Sequence, residues 1–385
     1  MFSNSDIQRA QSCATDPRQA VRELHTSLRQ ADTALIVFFC SSSYDLDAIA
    51  DEINQQFAGI QVVGCTTAGE IGPAGYLTHS LVGVSLTAAV CTAVTGCLPS
   101  LKTFDFTQGH TFAQQLLQRL ESQTTEVSSR NTFAFFMVDG LSIREEPVVQ
   151  TLQAALGSIT LCGGSAGDDC KFERTWVFHG GAFHADSAVL MLIQTPLPFK
   201  IFKTQHFVSE SERLVVTEAD VARRIVTEIN GLPAAQEYAR ILGVELKELR
   251  PLHFAAKPVV VVMDGTDYVR SIQKVDPSGP LTFFCAIDEG LVLRVARGVD
   301  LVQNLSQTFE RIRQDMGPIA VTFGCDCVLR NIEITENHQK EAVAQILKDN
   351  HTVGFCTYGE QFGGVHVNQT FTGIALGQPG ERRDT

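Results

Sequence analysis

Two stretches of the sequence repeat one order of elements, and this order constrains the fold more than any other feature. In each stretch an apolar strand is followed by an amphipathic helix, a second strand and a glycine-rich loop. The strands cover residues 34–40 and 61–66 in the first stretch and residues 133–138 and 159–162 in the second. Strand, helix and strand at this spacing predict βαβ units whose parallel strands are buried on both faces.

The two glycine-rich loops look like copies of one segment. Residues 64–70 read GCTTAGE and residues 163–169 read GGSAGDD, so both combine glycine, small hydroxyl residues and an acid. We infer an internal duplication, or at least two loops at equivalent sheet ends. Ligands of open α/β sheets bind at the carboxyl ends of strands, where these loops would lie.

After about residue 230 the pattern changes. Short strands over residues 259–263, 268–272, 281–287 and 291–296 alternate with Gly, Pro and Asp turns, which predicts an antiparallel meander. A strand over residues 319–329 follows. We therefore predict an α/β fold with two domains, mixed sheets flanked by helices, and an α+β C-terminal domain. The predicted domains are residues 1–215 and 216–380.

Helix starts are marked by acceptor side chains. Asp16, Asp45 and Asp300 each precede an apolar pattern of helical period, and aspartate is a preferred N-cap residue. Asn337 is expected to cap the last helix.

Composition restricts the classes of partner. Lys and Arg total 30 against 43 Asp and Glu, a net charge of −13, which disfavours non-specific binding to nucleic acid or to anionic membranes. No apolar run approaches the roughly 20 residues of a membrane-spanning helix. The cysteine count is odd, at 11, and the first nine residues are mostly polar, unlike a signal peptide. A cytoplasmic protein with reduced thiols fits this pattern best.

The glycine loops are candidate ligand sites. Gly163 and Gly164 would let a ligand approach the backbone closely. Neither loop matches a P-loop, and the acids Glu70, Asp168 and Asp169 would repel a phosphate. A small polar or cationic ligand, or a purely structural tight turn, fits the loops better.

Three cysteines are candidates for a chemical role. Cys65 follows an apolar strand, where a nucleophile could lie, but no base is adjacent in sequence, and a buried structural thiol is the better interpretation. Cys325 and Cys327 form a C-x-C pair on one strand face. Without a further cysteine or histidine pair this is a weak zinc signal, so a redox role, a core role or a metal shared with another cysteine all stay open.

Residues 357–373, TYGEQFGGVHVNQTFTG, concentrate polar side chains between apolar strands. We expect this stretch to form one wall of a binding site through Tyr358, Glu360, His366, Asn368 and Gln369.

Two histidines are candidate ligands of haem iron. His206 and His366 lie in apolar, strand-like surroundings, and a neutral imidazole there could ligate haem iron, although a hydrogen-bonded core histidine is the simpler interpretation.

Seven segments of this sequence resemble the FIST family of bacterial sensory proteins, in the order found in that family. They read GCTTAGEI (64–71), VDGLS (138–142) with Glu145 and Glu146, GGSAGDD (163–169), TQHF (204–207), EINGLPAAQEYA (228–239), YVRSI (268–272) and the stretch at 357–373. The resemblance covers most of the chain and includes both the N-terminal and the C-terminal FIST domain. It implies a non-enzymatic protein that binds a small ligand and takes part in signal transduction.

The density of these matches is also similar to the NosP branch of the family. That resemblance implies a b-type haem held by His206 or His366, nitric oxide as the signal, and a partner histidine kinase in two-component or cyclic-di-GMP signalling. A homodimer is compatible with it. The alternatives are a FIST sensor of a small organic ligand such as an amino acid, without haem, an enzyme using Cys65, and a thiol or zinc switch at Cys325 and Cys327.

Overall fold

Three similar units make up most of the molecule. The structure is a computed structural model that describes residues 6–263, 265–276 and 278–378. The first unit contains β1 (Ile7–Ser12), α1 (Pro17–Leu28), β2 (Thr33–Ser41), α2 (Leu46–Gln56), β3 (Gln61–Thr67), β4 (Glu70–Gly72), β5 (Gly75–Leu77) and β6 (Leu81–Thr87). The second contains β7 (Thr92–Pro99), α3 (Phe106–Glu121), β8 (Thr132–Val138), α4 (Glu145–Leu156), β9 (Leu161–Ser165), β10 (Val177–His179), β11 (Ala182–His184) and β12 (Ser187–Gln194).

The third unit is interrupted by an insertion. It begins with β13 (Phe199–Thr204), and the chain then forms the inserted sheet with its helices: β14 (Phe207–Asp220), β15 (Ile225–Ile229), β16 (Leu232–Pro233), α5 (Ala234–Leu242), α6 (Pro251–Ala256), β17 (Val259–Met263), β18 (Thr266–Arg270), β19 (Ile272–Val275), β20 (Leu281–Phe283) and β21 (Val292–Gly298). The unit resumes with α7 (Leu301–Met316), β22 (Ile319–Cys327), α8 (Val328–Glu336), α9 (Lys340–Asp349), β23 (Thr352–Thr357), β24 (Glu360–Phe362), β25 (Val365–Val367) and β26 (Phe371–Gly377).

Each unit builds a six-stranded sheet, and the three strand orders correspond. They are β1-β6-β2-β3-β10-β11, β7-β12-β8-β9-β24-β25 and β13-β26-β22-β23-β4-β5. In every unit the central pair is parallel, as the βαβ pattern predicts, and the other pairs are antiparallel. The prediction of an α/β fold with mixed sheets and an α+β C-terminal part is confirmed.

The last two strands of each sheet come from a different unit, and these exchanges close a ring. We call β4–β5, β10–β11 and β24–β25 the crossover hairpins. The first unit's hairpin pairs with β23 of the third, the third unit's with β9 of the second, and the second unit's with β3 of the first. Because the cycle returns to its start, no unit can leave the ring without breaking two sheets.

The core of the ring is apolar. One buried cluster combines inward side chains of all three units, among them Phe39, Phe135, Phe323 and Phe355, and Phe39 stacks on Phe355 with ring centroids 4.7 Å apart. Each buried side chain of this size contributes about 1.5–3 kcal/mol relative to exposure. The second cluster lies between the second unit's sheet and its helices α3 and α4.

The inserted sheet has a core of its own. Its strands follow the path β18-β17-β21-β14-β15-β20-β19, with β16 beside β15, and all the pairs are antiparallel, as predicted. The predicted meander is wrong, because β21 pairs with β14 and β17 and is not beside β20. Its buried side chains, including Leu214, Tyr238 and Phe254, form a separate cluster. The predicted boundary between residues 215 and 216 falls inside β14, and β22, β23 and β26 after the insertion belong to the ring.

Most of the helix N-caps predicted from the sequence are confirmed. The side chains of Asp16, Asp45 and Asp300 each accept a hydrogen bond from a backbone N–H of the first turn, so the three predicted caps are confirmed. The expectation for residues 319–329 and Asn337 is wrong. The strand ends at Cys327, α8 follows without a turn, and the next helix starts at Lys340, with Asn337 at the end of α8.

Candidate functional site

Three corresponding segments meet at the carboxyl ends of β3, β9 and β23, and we call them the ring segments: residues 64–68, 163–167 and 354–358. Their backbones are joined in a cycle of three hydrogen bonds. Ala68 N–H donates to Cys356 O (3.0 Å), Gly167 N–H to Thr66 O (3.0 Å), and Tyr358 N–H to Ser165 O (3.2 Å). The two loops predicted to be equivalent are therefore equivalent, and a third copy completes the set.

Glu70 is a buried carboxylate with neutral partners. It is 0% exposed and accepts hydrogen bonds from the Thr67 hydroxyl and from the Ser80 hydroxyl and backbone N–H. No cation lies within ion-pair distance of it in the described part of the chain. Burial raises the pKa of Glu70 to about 7, although the hydrogen bonds favour ionisation.

Glu360 repeats this arrangement in the third unit. It is also 0% exposed, and it accepts hydrogen bonds from the Thr357 hydroxyl and from the Thr370 hydroxyl and N–H. Burial raises the pKa of Glu360 to about 8. The two glutamates fix the turns that lead into their crossover hairpins, and both titrate near neutral pH.

The second unit departs from the repeat. Residues 168–175 are additional there, and we call them the cover loop. Asp168 accepts hydrogen bonds from the Tyr358 hydroxyl and from the backbone N–H groups of residues 172, 173 and 174. Asp169 accepts hydrogen bonds from the hydroxyls of three serines, 41, 42 and 43. The cover loop thus links all three units at one end of the ring.

The cover loop is also strained and aromatic. Asp169, Cys170 and Phe172 have positive φ angles of 57°, 61° and 55°, a region that non-glycine residues enter only where surrounding structure holds them. Phe172 is 37% exposed and stacks on Tyr358 with centroids 4.8 Å apart, and Phe284 of the inserted part lies 5.8 Å from Phe172.

His366, Asn368 and Gln369 lie together, as the sequence predicts, and they meet the inserted sheet. Asn368 Oδ1 accepts from the N–H of Ser271, and the Ser271 hydroxyl donates to Gln369 Oε1. Gln369 also donates to Ala255 O at 2.7 Å. This end of the ring is therefore covered by the inserted sheet and by α6.

His366 is buried and hydrogen-bonded on both sides of its ring. Nδ1 lies 3.2 Å from Gln361 Oε1, and Nε2 lies 3.4 Å from Asn368 Nδ2, which fits a neutral imidazole protonated at Nδ1. Burial lowers the pKa of His366 to about 4, so it is neutral at physiological pH.

A buried ion cluster joins the ring to the inserted part. Arg224 donates to Glu145 (2.7 Å) and to Glu146, both at the start of α4, and to Phe284 O (2.6 Å). Glu146 also accepts from the N–H of Ala286. Glu145 and Glu146, which belong to one of the segments that resemble the FIST family, thus anchor the inserted part.

Arg270 differs from Arg224 because it has no such partner. It lies at the end of β18, next to Ser271, and its charge acts on His366 and Cys285. Its Nε is buried without a hydrogen-bond acceptor, and among the residues that the structure describes no carboxylate pairs with it. A buried, unsatisfied guanidinium nitrogen costs about 1–3 kcal/mol or more, which a bound acceptor would offset.

His206 lies at a different joint of the ring. Its Nε2 contacts both Glu333 oxygens at 3.0 Å, and Nδ1 accepts from Arg330, 3.1 Å away. Arg330 and Asp326 are both 0% exposed and pair at 2.7 Å, and the Tyr76 hydroxyl donates to Asp326. Burial lowers the pKa of His206, despite the opposing effect of Glu333.

The hydrogen bonds of the two histidines show whether either ring is available to ligate haem iron. Each would need a ring nitrogen free to reach iron, but in both His206 and His366 each nitrogen has a hydrogen-bond partner within the protein. As arranged, neither histidine has a ring nitrogen available as an axial ligand of haem iron. Haem binding stays a prediction from the resemblance. Within the described ranges, no group of three or more His, Cys, Asp or Glu side chains is arranged to hold a metal ion.

The remaining candidate residues are packed into the ring. Cys65 is 0% exposed in the central core, and burial raises its pKa well above the ordinary value. A Cβ at Gly163 would lie 1.9 Å from Phe136 O, and one at Gly164 would lie 2.6 Å from the Thr357 side chain. These glycines are required by strand packing. Cys325 and Cys327 are buried, and the structure records all eleven cysteines as free thiols.

Sequence reasoning missed Arg270, Arg224, the cover loop's function as a link, and the third ring segment. A signal for the third segment was present, because residues 67–70 (TAGE) and 357–360 (TYGE) share the form T-x-G-E. Each is also followed, ten residues after its glutamate, by a hydroxyl residue that bonds the glutamate. The insertion of about 95 residues inside the third unit hides this correspondence.

Comparison with known proteins places the chain in a family. A FIST N domain matches residues 34–232, and a FIST C domain matches residues 234–363. An uncharacterized protein of Methanocaldococcus jannaschii is 20% identical, with 90% of this chain and 74% of that protein covered.

Among solved structures, a cyanuric acid hydrolase from A. caulinodans aligns at a TM-score of 0.36 and 8% identity, over 97% of this chain and 99% of the hydrolase. A likeness at that level carries no argument about activity. In the described part of the chain, no helix is both long and apolar enough to cross a bilayer. The two matching domains together span most of the sequence, and the chain therefore belongs to the FIST family, whose domains are sensor domains of signal transduction.

Proposed function

We propose that this FIST protein senses a small organic ligand that carries a carboxylate group, and that the ligand binds where the inserted sheet covers the ring segments. The observation that carries the proposal is Arg270, whose buried Nε has no acceptor. A guanidinium is the side chain best suited to a carboxylate, because it offers parallel donors in a planar fork.

The surroundings of Arg270 support a ligand with further polar groups. Ser271 Oγ can still accept a hydrogen bond and Asn368 Nδ2 has a second N–H to donate, while neighbouring His366 is neutral and adds no charge at neutral pH. Phe172 and Phe284 supply aromatic faces nearby, and Phe172 is partly exposed. An amino acid or a similar small acid matches this combination.

Signal output requires two states with different ligand affinity. The contacts between ring and inserted part include polar ones through Arg224, Ser271 and Gln369, beside the apolar packing of Phe284 on ring side chains. A ligand that adds contacts at this junction would shift the position of the inserted sheet. We propose that a separate signalling protein, such as a histidine kinase, reads that change. The free thiols suit the reducing cytoplasm, where we place the protein.

A thermal-shift screen tests the proposal. The protein is heated with each of the twenty amino acids and with a set of small mono- and dicarboxylates, and hits are titrated calorimetrically. A ligand at a hundred times its Kd stabilises the folded state by about 2.7 kcal/mol. We expect Arg270→Met to abolish binding of the hit, and Arg29→Met, an exposed arginine after α1, to leave it unchanged.

Two results would refute this function. One is a hit whose affinity is the same in Arg270→Met, and the other is the absence of any stabilising carboxylate. Haem, implied by the resemblance, is tested separately by the absorption spectrum of haem-reconstituted protein. That experiment is independent of Arg270, so the two interpretations are distinguishable.

A further inference from the structure

A cavity of about 600 Å³ lies at the joint between the first and second units. Its wall is formed by the end of α2 with the loop into β3, by Thr95 of β7 and Arg119 of α3, and by the turn between β10 and β11. The volume is within the range of small-molecule sites, roughly 300–1,000 Å³. The cavity lies beside the amino end of β3, whereas the ring segments meet at the carboxyl ends of their strands, so it is separate from the site proposed above.

The threefold repeat explains why this joint is open. Val63, Cys162 and Val353 immediately precede the three ring segments, and the paired residues across each sheet lead from them to Arg9, Thr95 and Ile201, respectively. Arg9 Nη2 contacts His351 Nδ1 at 2.9 Å, and Ile201 packs against the central apolar cluster. Threonine is shorter than arginine or isoleucine, so Thr95 leaves a space where the other two joints have a longer side chain.

The edge of β3 that faces the cavity has a vacant pairing position. Thr66 N–H donates to Trp176 O, so Gly64 and Val62, at alternate positions, direct their backbone groups toward the same side. β10 pairs with β3 as far as Gly64 and ends at His179. It therefore stops short of Val62.

The second unit shows what the complete pairing looks like. Leu161 precedes Cys162 as Val62 precedes Val63, and the C=O of Leu161 accepts from the N–H of Gly363 at 2.9 Å. In the first unit no corresponding bond joins Val62 to the turn after β10 among the residues that the structure describes. Val62 thus offers one donor and one acceptor to a ligand in the cavity.

On the inner face of this edge, polar side chains contact one another in series. The Thr95 hydroxyl donates to Gln61 Oε1 (3.2 Å) and lies 3.3 Å from Nε2 of His179, and Arg119 Nη1 donates to Thr95 O (3.3 Å). Burial lowers the pKa of His179, so its ring is neutral at neutral pH. None of the described residues that line the cavity is acidic, and in the described ranges no carboxylate forms an ion pair with Arg119. The guanidinium is therefore available to an anionic group.

On the outer face of the same edge the wall is apolar. Ile53, Phe57 and Phe178 line the cavity there, and the side chain of Val62 packs against the same cluster. Residues that pair across two strands direct their side chains to the same face, so a ligand paired with Val62 would place an apolar side chain against this wall.

We propose that this cavity binds an N-acylated amino acid with an apolar side chain. The amide N–H of the ligand would donate to Val62 O, and its carboxylate would accept from Val62 N–H and from Arg119. A free amino acid would bring an ammonium group, for which the described wall has no acid. Such a ligand would join β3 of the first unit to β7 and α3 of the second. The site does not rest on Arg270 or on the function proposed above.

Calorimetric titration with N-acetyl-leucine tests the site, in the wild type and in Arg270→Met in parallel. We expect saturable binding that is equal in the two proteins. N-acetyl-leucinamide lacks the carboxylate, N-acetyl-N-methyl-leucine lacks the N–H donor, and leucine lacks the acyl group. In Arg270→Met, each of the three should bind at least about tenfold more weakly than N-acetyl-leucine, because each leaves part of the site unsatisfied.

Matched variants locate the binding. Arg119→Gln should weaken N-acetyl-leucine binding about tenfold or more. Thr95→Ile gives this joint the side chain of the equivalent position 201 and should abolish binding by filling the space. Arg130→Gln, at an exposed arginine before β8, should bind as the wild type does. Arg119 is also exposed, so Arg119→Gln keeps the test valid if Thr95→Ile does not fold.

Three outcomes would overturn the proposal. The first is absence of binding, or binding that is unchanged in Arg119→Gln. The second is equal affinity for leucine or N-acetyl-leucinamide in Arg270→Met. The third is binding that is lost in Arg270→Met, because it would place N-acetyl-leucine at the other site. Failure here would leave the function proposed for Arg270 untouched, since that function is tested with other ligands.

Discussion

Replacing Glu70 by glutamine should make the protein more stable at alkaline pH and leave it almost unchanged at acid pH. Glu70 is fully buried without a cation, and its pKa is raised from 4.5 to about 7. A carboxyl group whose folded-state pKa is raised binds its proton more tightly in the folded state. Unfolding then releases a proton between about pH 4.5 and pH 7, so the free energy of unfolding falls as pH rises through this window.

The magnitude follows from the same values. At about 1.36 kcal/mol for each pH unit, the difference between 4.5 and about 7 amounts to about 3 kcal/mol at most, reached above pH 7. Glutamine can keep the local hydrogen bonds, since its amide nitrogen donates to the Thr67 hydroxyl oxygen and its oxygen accepts from Ser80. The variant therefore loses the penalty of ionisation and keeps the turn.

The assay is urea denaturation of wild type and Glu70→Gln at pH 5, 6, 7 and 8, followed by tryptophan fluorescence and circular dichroism, with coincident transitions required before free energies are compared. We expect a gain by the variant of less than about 1 kcal/mol at pH 5, rising to about 3 kcal/mol at pH 8. Glu121→Gln, at the exposed end of α3, is the control. A variant that is destabilised equally at every pH would refute the reasoning, because it would show that Glu70 is needed as a carboxylate.

Three further predictions follow from the ring and its joints. Asp326→Asn should destabilise the protein by about 3–5 kcal/mol in urea, because it leaves Arg330 buried without its counter-charge, and Asp326→Asn with Arg330→Met should recover part of that loss. Gly163→Ala should prevent folding, seen as insoluble protein, since its Cβ would lie 1.9 Å from Phe136 O, whereas Gly363→Ala, with open space but a φ of +56°, should cost only about 1 kcal/mol. Haem-reconstituted protein should show no sharp Soret band, because every nitrogen of His206 and His366 is already engaged, and a sharp band abolished by His206→Ala or His366→Ala would instead establish a haem sensor.

Local signals in the sequence predicted local structure well. Apolar runs and aspartate caps indicate the βαβ units, because burial and capping depend on residues close in sequence. The start of α8 was missed because Val328 and Leu329 continue the apolar pattern of β22, and no turn residue separates the strand from the helix. The polar residues at 357–373 were predicted as a wall and do lie together. Arg270 was not singled out, since only the tertiary structure shows that its Nε lacks an acceptor.

The departures from threefold repetition lie at one end of the ring, where we propose that the ligand binds. Three equal units would present three equal joints, but two additions break the equality. The cover loop is added in the second unit and the inserted sheet in the third, and both lie over the carboxyl ends of β3, β9 and β23.

The two chain connections between the ring and the inserted part lie together at His206. The N–H of Val299, where the chain returns, donates to His206 O at 2.7 Å, while the His206 ring is held by Glu333 and Arg330. The joint between the two connecting chains is therefore buried and polar, although elsewhere Phe284 of the insertion packs against ring side chains such as Tyr358. Because each polar contact must be satisfied in full or broken, such a joint favours discrete positions over gradual motion, which is what a sensor of this family requires.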